Sequence, residues 1–252
     1  MLDILILAVA GFATGLLNAV AGGGTFISFP ALIYVGVPPI AANASATLAA
    51  LPGYASSAFA FRDDIKAEGT LGLPATLAIT VIGAIIGALL LIVTPGAAFD
   101  VAVPVLLALA TVLFAAGPRL VARLRARGGS GAGPVASAAA MLGVSIYGGY
   151  FNGGLGIMLL ATFGLIGYVN LHGMNGLKNL LSALLSLISA AAFVMADLIA
   201  WGPALSLAVA ITLGGYVGAR ASRKIKRTDR LRAFVVLVGI VMTVIFTIRV
   251  VA

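Results

Sequence analysis

The side chains best suited to holding a charged ligand lie together in the second half of the chain. Lys178 stands between Asn175 and Asn179 inside an apolar run. A lysine within a membrane segment costs at least about 3 kcal/mol to insert, so such residues usually serve a function. The alternative is that Lys178, near a helix end, extends its amine to the lipid headgroups. We favour a functional role, in which the ammonium and the two amides bind an anion.

Two glycine-rich breaks interrupt apolar sequence at matching positions of the two halves. The first reads Gly22-Gly23-Gly24-Thr25, and the second reads Asn152-Gly153-Gly154-Leu155-Gly156. Each opens a helix, and helix N-termini attract anions through free N–H groups and the positive end of the dipole. Paired interruptions of this kind are typical of transporter binding sites. We therefore expect Thr25 and Asn152 to cap the two helices, whose N-termini face a shared anion.

Further neutral hydrogen-bonding groups lie on the helix that follows the first break. We expect Asn43 and Ser45 to support the first break and Lys178 to lie near the second. The anion's charge should therefore lie closer to the second half. The predicted substrate-binding residues are Gly22, Gly23, Gly24, Thr25, Asn43, Ser45, Asn152, Gly153, Gly154, Gly156, Asn175, Lys178 and Asn179.

Composition identifies the chain as an all-α integral membrane protein. Of its 252 residues, 62% are hydrophobic and 9% are charged, which is more apolar surface than a soluble domain can bury. Apolar runs of about 20 residues, enough to cross the bilayer as helix, recur along the chain. Helices are predicted at 2–20, 25–37, 38–61, 70–93, 99–118, 135–151, 154–171, 174–196, 198–220 and 231–251.

Charge distribution predicts the topology. Thirteen of the fifteen Lys and Arg residues fall in three short stretches, near 62–69, 119–133 and 220–232, and the positive-inside rule makes these cytoplasmic. Five crossings then precede the middle stretch, so both termini are external and the halves run in opposite senses. We predict two five-helix inverted repeats, 1–118 and 135–252, joined by a cytoplasmic linker at 119–134. Each contains a glycine-broken helical hairpin or a re-entrant segment.

A shift of 131 residues supports this division, since it carries five glycines of the first half onto glycines of the second. Four of the matched glycines, Gly83 with Gly87 and Gly214 with Gly218, lie inside uninterrupted helices. For these we prefer a role in close helix packing.

The residues that are missing narrow the function. All seven acidic residues fall in loops or at segment ends, the chain has one histidine, and it has no cysteine. A catalytic triad, a metal site and a carboxylate proton relay therefore lack their residues, and we expect no enzyme activity, no cofactor and no metal. The basic clusters are better explained by topology and lipid headgroups than by nucleic acid. The predicted site has hydrogen-bond donors and a positive charge but no buried carboxylate, which favours an anion as the transported species.

Three segments resemble motifs of the TauE/SafE family of sulfite exporters. They are GLLNAVAGGGTFISFPAL at 15–32, YGGYFNGGLGI at 147–157 and MNGLKNL at 174–180. The family pattern often has alanine where this chain has Asn152 and Gly176. The resemblance spans essentially the whole chain and implies a fold of two related halves that moves sulfite, sulfonates or other small anions.

Together these observations predict a secondary transporter in the plasma membrane that exports a small oxyanion, sulfite or an organosulfonate, by alternating access. The alternatives are a passive anion channel and a carrier of thiosulfate, sulfate or a carboxylate. The expected partners are the anion and the lipid bilayer, with no nucleic acid. A homodimer is compatible with this interpretation.

Overall fold

The computed structural model describes residues 2–20, 22–65, 68–126, 132–222 and 229–251. Over these residues the chain is helical and contains no strand, as predicted. The α-helices are α1 Leu2–Val20, α2 Thr25–Tyr34, α3 Pro39–Ala60, α4 Leu73–Val93, α5 Gly96–Ala126, α6 Pro134–Tyr150, α7 Leu155–Ile166, α8 Leu171–Met195, α9 Trp201–Ser222 and α10 Asp229–Val251. A short 3-10 helix at Arg62–Asp64 follows α3.

Proline and glycine set most of the helix ends. Pro39 and Pro134 open α3 and α6, where a missing N–H costs nothing. Helix α2 ends at Tyr34, three residues earlier than predicted, because Gly36 turns the chain at a φ of +88°. Helix α5 continues to Ala126, through the first part of the predicted linker. The rest of that linker up to residue 131 lies outside the described residues, as do Lys66 and the segment 223–228 with its four basic residues.

Six of the described helices are long and apolar enough to cross a membrane, namely α1, α4, α5, α8, α9 and α10. Helices α2 and α7, with 10 and 12 residues, are too short to do so alone. At a rise of 1.5 Å per residue they span only about 15 and 18 Å. Large apolar side chains on α4 and α10, among them Val93 and Ile248, are exposed on the outside of the bundle, where lipid would cover them.

The helices pack as a central group with peripheral pairs around it. Helices α3 and α8 lie against each other in the interior. Helix α9 packs on α1 and α3, α4 packs on α6 and α8, and α5 packs on α10. The two short helices fill the remaining space, α2 beside α1, α3 and α10, and α7 beside α5, α6 and α8.

Small residues allow the closest of these contacts, because glycine lets two backbones approach. A side chain at Gly218 of α9 would lie 2.9 Å from the Cα of Leu16 on α1. A side chain at Gly87 of α4 would lie 2.7 Å from the backbone nitrogen of Tyr150 on α6. The predicted packing role of these glycine pairs is therefore confirmed.

Candidate functional site

The two glycine breaks meet in the interior of the bundle. Gly22 has a φ of +79° and Gly154 a φ of +71°, in the left-handed region that favours glycine. A Cβ on Gly22 would lie only 2.6 Å from the Cα of Gly156, so the two backbones are in direct contact. The Thr25 hydroxyl donates to the backbone oxygen of Asn152 at 3.3 Å, which joins the breaks by a hydrogen bond.

The first break is held by α1 rather than by its own threonine. The Gly24 amide donates to Oδ1 of Asn18 at 2.8 Å, and the Thr14 hydroxyl donates to the Gly24 oxygen at 3.1 Å. Gly24 is the N-cap of α2 and supplies no side chain to it. The prediction that Thr25 caps this helix is wrong, because Asn18 takes the Gly24 amide and the Thr25 hydroxyl reaches the other break.

The second break is held by α6 and α8. The Tyr147 hydroxyl donates to the Gly153 oxygen at 2.6 Å, and the Asn152 side-chain amide donates to the Ser186 hydroxyl at 3.4 Å. Gly154 is the N-cap of α7, again without a side-chain cap. We expected Asn152 to cap α7, but its side chain does not do so. It instead ties the second break to α8.

Lys178 is fully buried, with 0% of its surface exposed. It lies in the second turn of α8, about 10 Å along the helix from Leu171. Its ammonium donates to the backbone oxygen of Asn18 at 3.1 Å and to Oδ1 of Asn175 at 3.2 Å. The alternative that Lys178 extends to the headgroups is wrong, because the amine is held in the interior.

The surroundings of the Lys178 ammonium are neutral. Among the described residues, its two hydrogen-bond partners are a backbone carbonyl oxygen and a side-chain amide oxygen. Asn18 is near the C-terminus of α1, where unpaired carbonyls and the negative end of the dipole attract a cation. Dipoles therefore hold the ammonium, and no carboxylate of the described chain balances its charge.

The supporting residues cross between the halves, which corrects our expectation for Asn43 and Ser45. The Asn43 amide donates to the backbone oxygen of Tyr150 at 2.8 Å, next to the second break. The Ser45 hydroxyl accepts from the amide of Ala200, in the segment between α8 and α9. Among the described residues, neither side chain hydrogen-bonds to the first break, whereas Lys178 donates to Asn18, the residue that accepts from the Gly24 amide. The charge is thus linked through Asn18 to the first break.

A polar stripe on α8 extends beyond the residues predicted from sequence. Ser182, Ser186 and Ser189 are fully buried, as are Lys178 and Asn179. At 100° per residue, these five and Asn175 fall within an arc of about 100° on the helix. The signal was available in the sequence as polar residues at helical spacing in an apolar run. Asn18 was also missed, although it lies within a recognised motif.

Several buried polar atoms on α1, α3, α6, α8 and the second break have no hydrogen-bond partner among the described residues. They are Nδ2 of Asn18, Oδ1 of Asn43, the Ser145 hydroxyl, Oδ1 of Asn152, both side-chain polar atoms of Asn179 and the hydroxyls of Ser182 and Ser189. Buried polar groups are nearly always paired, so a concentration of unpaired ones calls for an explanation.

The described residues contain no cluster of three or more His, Cys, Asp or Glu side chains that could hold a metal ion. Three grooves lie on the surface, lined for example by Asp100 and Arg249, by Arg62 and Arg220, or by Asp3 and Gly202. None of the three includes Lys178 or a residue of the two breaks. Residues 22–25 and 152–156 are all buried, so the junction between the breaks is closed to solvent.

Comparison with known proteins identifies the family. The model of a family described as "Sulfite exporter TauE/SafE" matches residues 7–246. The chain belongs to this family. TauE/SafE proteins are membrane transporters, and with six helices suited to crossing the bilayer this member is a multi-pass membrane protein. The resemblance seen in the three sequence motifs is confirmed.

A relative from Sinorhizobium sp., named "Probable membrane transporter protein ORF9", is 30% identical over 112 residues. The aligned region covers 44% of this chain and 42% of the relative, so the match spans less than half of either protein. No solved structure matches the TauE/SafE chain.

Proposed function

We propose that this TauE/SafE protein is a secondary transporter that exports a small oxyanion, sulfite or an organosulfonate, and that it is not an enzyme. The observation that carries the proposal is the buried Lys178 ammonium, which lies where the two halves meet and has no carboxylate partner in the described part of the chain. The family description supports sulfite as the type of substrate.

The energetics of Lys178 favour an anion as its missing partner. Burying an unpaired charge costs several kcal/mol even after relaxation, and two carbonyl dipoles recover only part of this. An anion at the junction would neutralise the ammonium and accept hydrogen bonds from the amides around it. We propose that Lys178, Asn175, Asn179 and the backbone of the two breaks form this site, with Thr25 and Asn152 linking its two sides.

We further propose that the chain consists of two inverted five-helix repeats, α1–α5 and α6–α10. The pattern of helix contacts supports this division. Helix α1 packs on α9 as α6 packs on α4, and α3 packs on α9 as α8 packs on α4. The pairs α3 with α8 and α5 with α10 would each map onto themselves. Such a pattern is expected of two halves related by a pseudo-two-fold axis in the membrane plane.

Alternating access is the mechanism that suits this arrangement. The breaks are buried between the halves, as in an occluded state in which neither side reaches the anion. Rocking of one repeat against the other would separate Thr25 from Asn152 and open one side of the junction at a time. In the orientation we propose, the protein lies in the plasma membrane with basic loops in the cytoplasm and both termini outside. A homodimer is compatible with this orientation.

A passive anion channel is the competing function, since the same donors could line a pore. Reconstituted liposomes distinguish the two. If the protein is a carrier, unlabelled sulfite inside the liposomes accelerates the uptake of labelled sulfite. The uptake rate also saturates as the external sulfite concentration rises. A channel gives large single-channel currents and no such acceleration. That result would contradict alternating access and favour the channel.

Lys178→Met tests the proposed role of the charge. Methionine has a similar length and no charge, so we expect sulfite binding to fall at least about tenfold, as for loss of a hydrogen bond to a charged group. Arg249→Gln is the matched control, because Arg249 also lies outside the three basic stretches but is exposed on α10. Binding is measured by calorimetry on purified protein, and flux in liposomes. Unchanged sulfite binding and flux in Lys178→Met would refute the charged site.

A further inference from the structure

A surface groove between the ends of α3 and α9 carries an arginine from each side. It has a volume of about 600 Å³ and is lined by Arg62, which follows α3, and by Arg220, near the end of α9. The apolar span of α9 ends at Arg220, so the groove lies where this helix leaves the hydrocarbon of the bilayer. None of the described residues that line the groove is acidic.

The two helices run side by side in the same direction, which brings their C-terminal ends together at the groove. Before the first turn of α9, the Ala200 amide donates to the Ser45 hydroxyl at 2.9 Å. Further along, a Cβ on Gly53 would lie 2.7 Å from Cγ2 of Ile211. Ala219, which is buried, leaves space for the groove because its side chain is small. Arginines from distant parts of the chain therefore meet at one place.

Each of the two guanidinium groups lies over an aromatic ring that also lines the groove. Cζ of Arg62 is 4.3 Å from the centre of the Phe59 ring, and Cζ of Arg220 is 4.5 Å from the centre of the Tyr216 ring. Such cation–π contacts hold a guanidinium in place without using its N–H groups, which point outward in its own plane. The two positive groups are thus positioned in advance for a ligand.

Local partners use only part of the hydrogen-bonding capacity of these arginines. Nη1 of Arg62 donates to the backbone oxygen of Phe59 at 3.1 Å, and Nε lies 3.8 Å from Oδ1 of Asp63. The side chains of this ion pair are 55% and 87% exposed, so solvent weakens it. In the described part of the chain no carboxylate forms an ion pair with Arg220. A guanidinium has five N–H donors, and most of them stay available to an acceptor.

The wall of the groove continues as an apolar surface toward the middle of the membrane. Leu213 and Val217 precede Arg220 by seven and three residues, a spacing that puts them on the same side of α9. They are 60% and 45% exposed, and Phe59 on α3 is 68% exposed. A soluble anion would contact the arginines alone, whereas a phospholipid would also cover this apolar surface with its acyl chains.

We propose that this groove binds one anionic phospholipid. Its phosphodiester accepts hydrogen bonds from Arg62 and Arg220, and its acyl chains pack along α9 from Tyr216 toward Leu213. Guanidinium groups suit phosphate because their planar donors match two of its oxygens. The site is separate from the proposed anion site and does not depend on transport. Because α3 and α9 belong to different proposed repeats, the bound lipid would bridge them.

The test measures lipid binding to the purified full-length protein in detergent by native mass spectrometry. Phosphatidylglycerol, which is anionic, is compared with zwitterionic phosphatidylcholine of the same acyl chains. We expect the wild type to bind phosphatidylglycerol more tightly, and Arg62→Gln and Arg220→Gln each to weaken that binding about fivefold. Arg123→Gln is the matched control, since Arg123 is an exposed arginine of the second basic stretch that does not line the groove.

Tyr216→Leu gives a second readout that leaves every charge in place. It removes the ring beneath Arg220 but keeps an apolar side chain, and we expect phosphatidylglycerol affinity to fall about two- to fivefold. Soluble glycerol 3-phosphate offers a phosphate without acyl chains. At the concentration at which phosphatidylglycerol saturates the protein, we expect it to displace none of the lipid.

Three results would overturn the lipid site. One is equal affinity of the wild type for the two lipids. Another is equal weakening in all three arginine variants, which would indicate a diffuse basic surface. The third is displacement of the lipid by glycerol 3-phosphate, which would assign the groove to a soluble anion. If Arg62 only completes the end of α3, Arg62→Gln lowers the melting temperature and leaves the preference for phosphatidylglycerol unchanged, which also contradicts the proposal.

Discussion

Substitution of Gly156 by alanine tests the contact between the two breaks, on which the whole site depends. A Cβ at Gly156 would lie 2.5 Å from the Cα of Gly22 and 3.0 Å from its oxygen. Carbon atoms pack best at about 3.5 to 4.0 Å, so the backbones would have to separate by about 1 Å. The neighbouring atoms are backbone and cannot rotate away. Overpacking of this kind costs about 1 to 3 kcal/mol.

Helix propensity works in the opposite direction and makes the result diagnostic. Gly156 is in the first turn of α7, and alanine is favoured over glycine by up to about 1 kcal/mol within a helix. Gly143 in α6 is the matched control, because a Cβ there would meet nothing within 4 Å. We expect Gly156→Ala to lower the free energy of unfolding by about 1 to 2 kcal/mol, and Gly143→Ala to raise it slightly.

Unfolding can be followed in detergent micelles by titration with a denaturing detergent. Trp201, the sole tryptophan, gives a fluorescence signal at the start of α9. Flux in liposomes, at equal amounts of folded protein, should fall for Gly156→Ala and stay normal for Gly143→Ala. If the two variants are equally stable and equally active, the breaks do not meet as described and the site must be redrawn.

Three further substitutions probe the contacts around the junction. Thr25→Val removes the hydrogen bond to Asn152, and we expect a loss of about 1 kcal/mol in unfolding free energy, with altered sulfite flux in liposomes. Asn43→Leu leaves the buried oxygen of Tyr150 unpaired; it should cost about 1 to 3 kcal/mol in the same unfolding assay but leave calorimetric sulfite affinity near normal. Gly87→Leu would force α4 from α6, so size-exclusion chromatography should show a reduced monodisperse fraction, in contrast to the near-normal profile of Thr25→Val.

The helices and the breaks could be predicted from sequence because their causes are local. Apolar runs, prolines and glycines define each segment, and the first helix was predicted at its observed bounds, Leu2–Val20. Burial of Lys178 could be anticipated from the apolar sequence around it. The end of α5 was misplaced because its arginines suggested a loop, although arginine is a good helix former and the helix runs on to Ala126.

The partners of the site residues could not be predicted, because they are distant in the chain. Lys178 and Asn18 are 160 positions apart, and Asn43 and Tyr150 are 107 apart. Local rules gave Thr25 the role of a cap, but its hydroxyl donates to Asn152, and the Gly24 amide donates to Asn18 of the preceding helix. Only the polar stripe of α8 was both local and overlooked.

The two halves hold each other through contacts of similar geometry and different chemistry. In each, the third helix donates to a carbonyl at the end of the first helix of the other half, through Asn43 to Tyr150 at 2.8 Å and through Lys178 to Asn18 at 3.1 Å. A neutral amide carries no net charge for an anion to balance, whereas an ammonium attracts one over several ångströms. In the transport we propose, an anion entering the junction would compete for the Lys178 contact and leave the Asn43 contact unchanged. A lysine in place of Asn43 would add a second uncompensated buried charge. If both contacts were neutral, the junction would hold no charge for the anion to neutralise. Under the proposed function, a single charged contact would let one anion loosen one side of the junction while the other side holds.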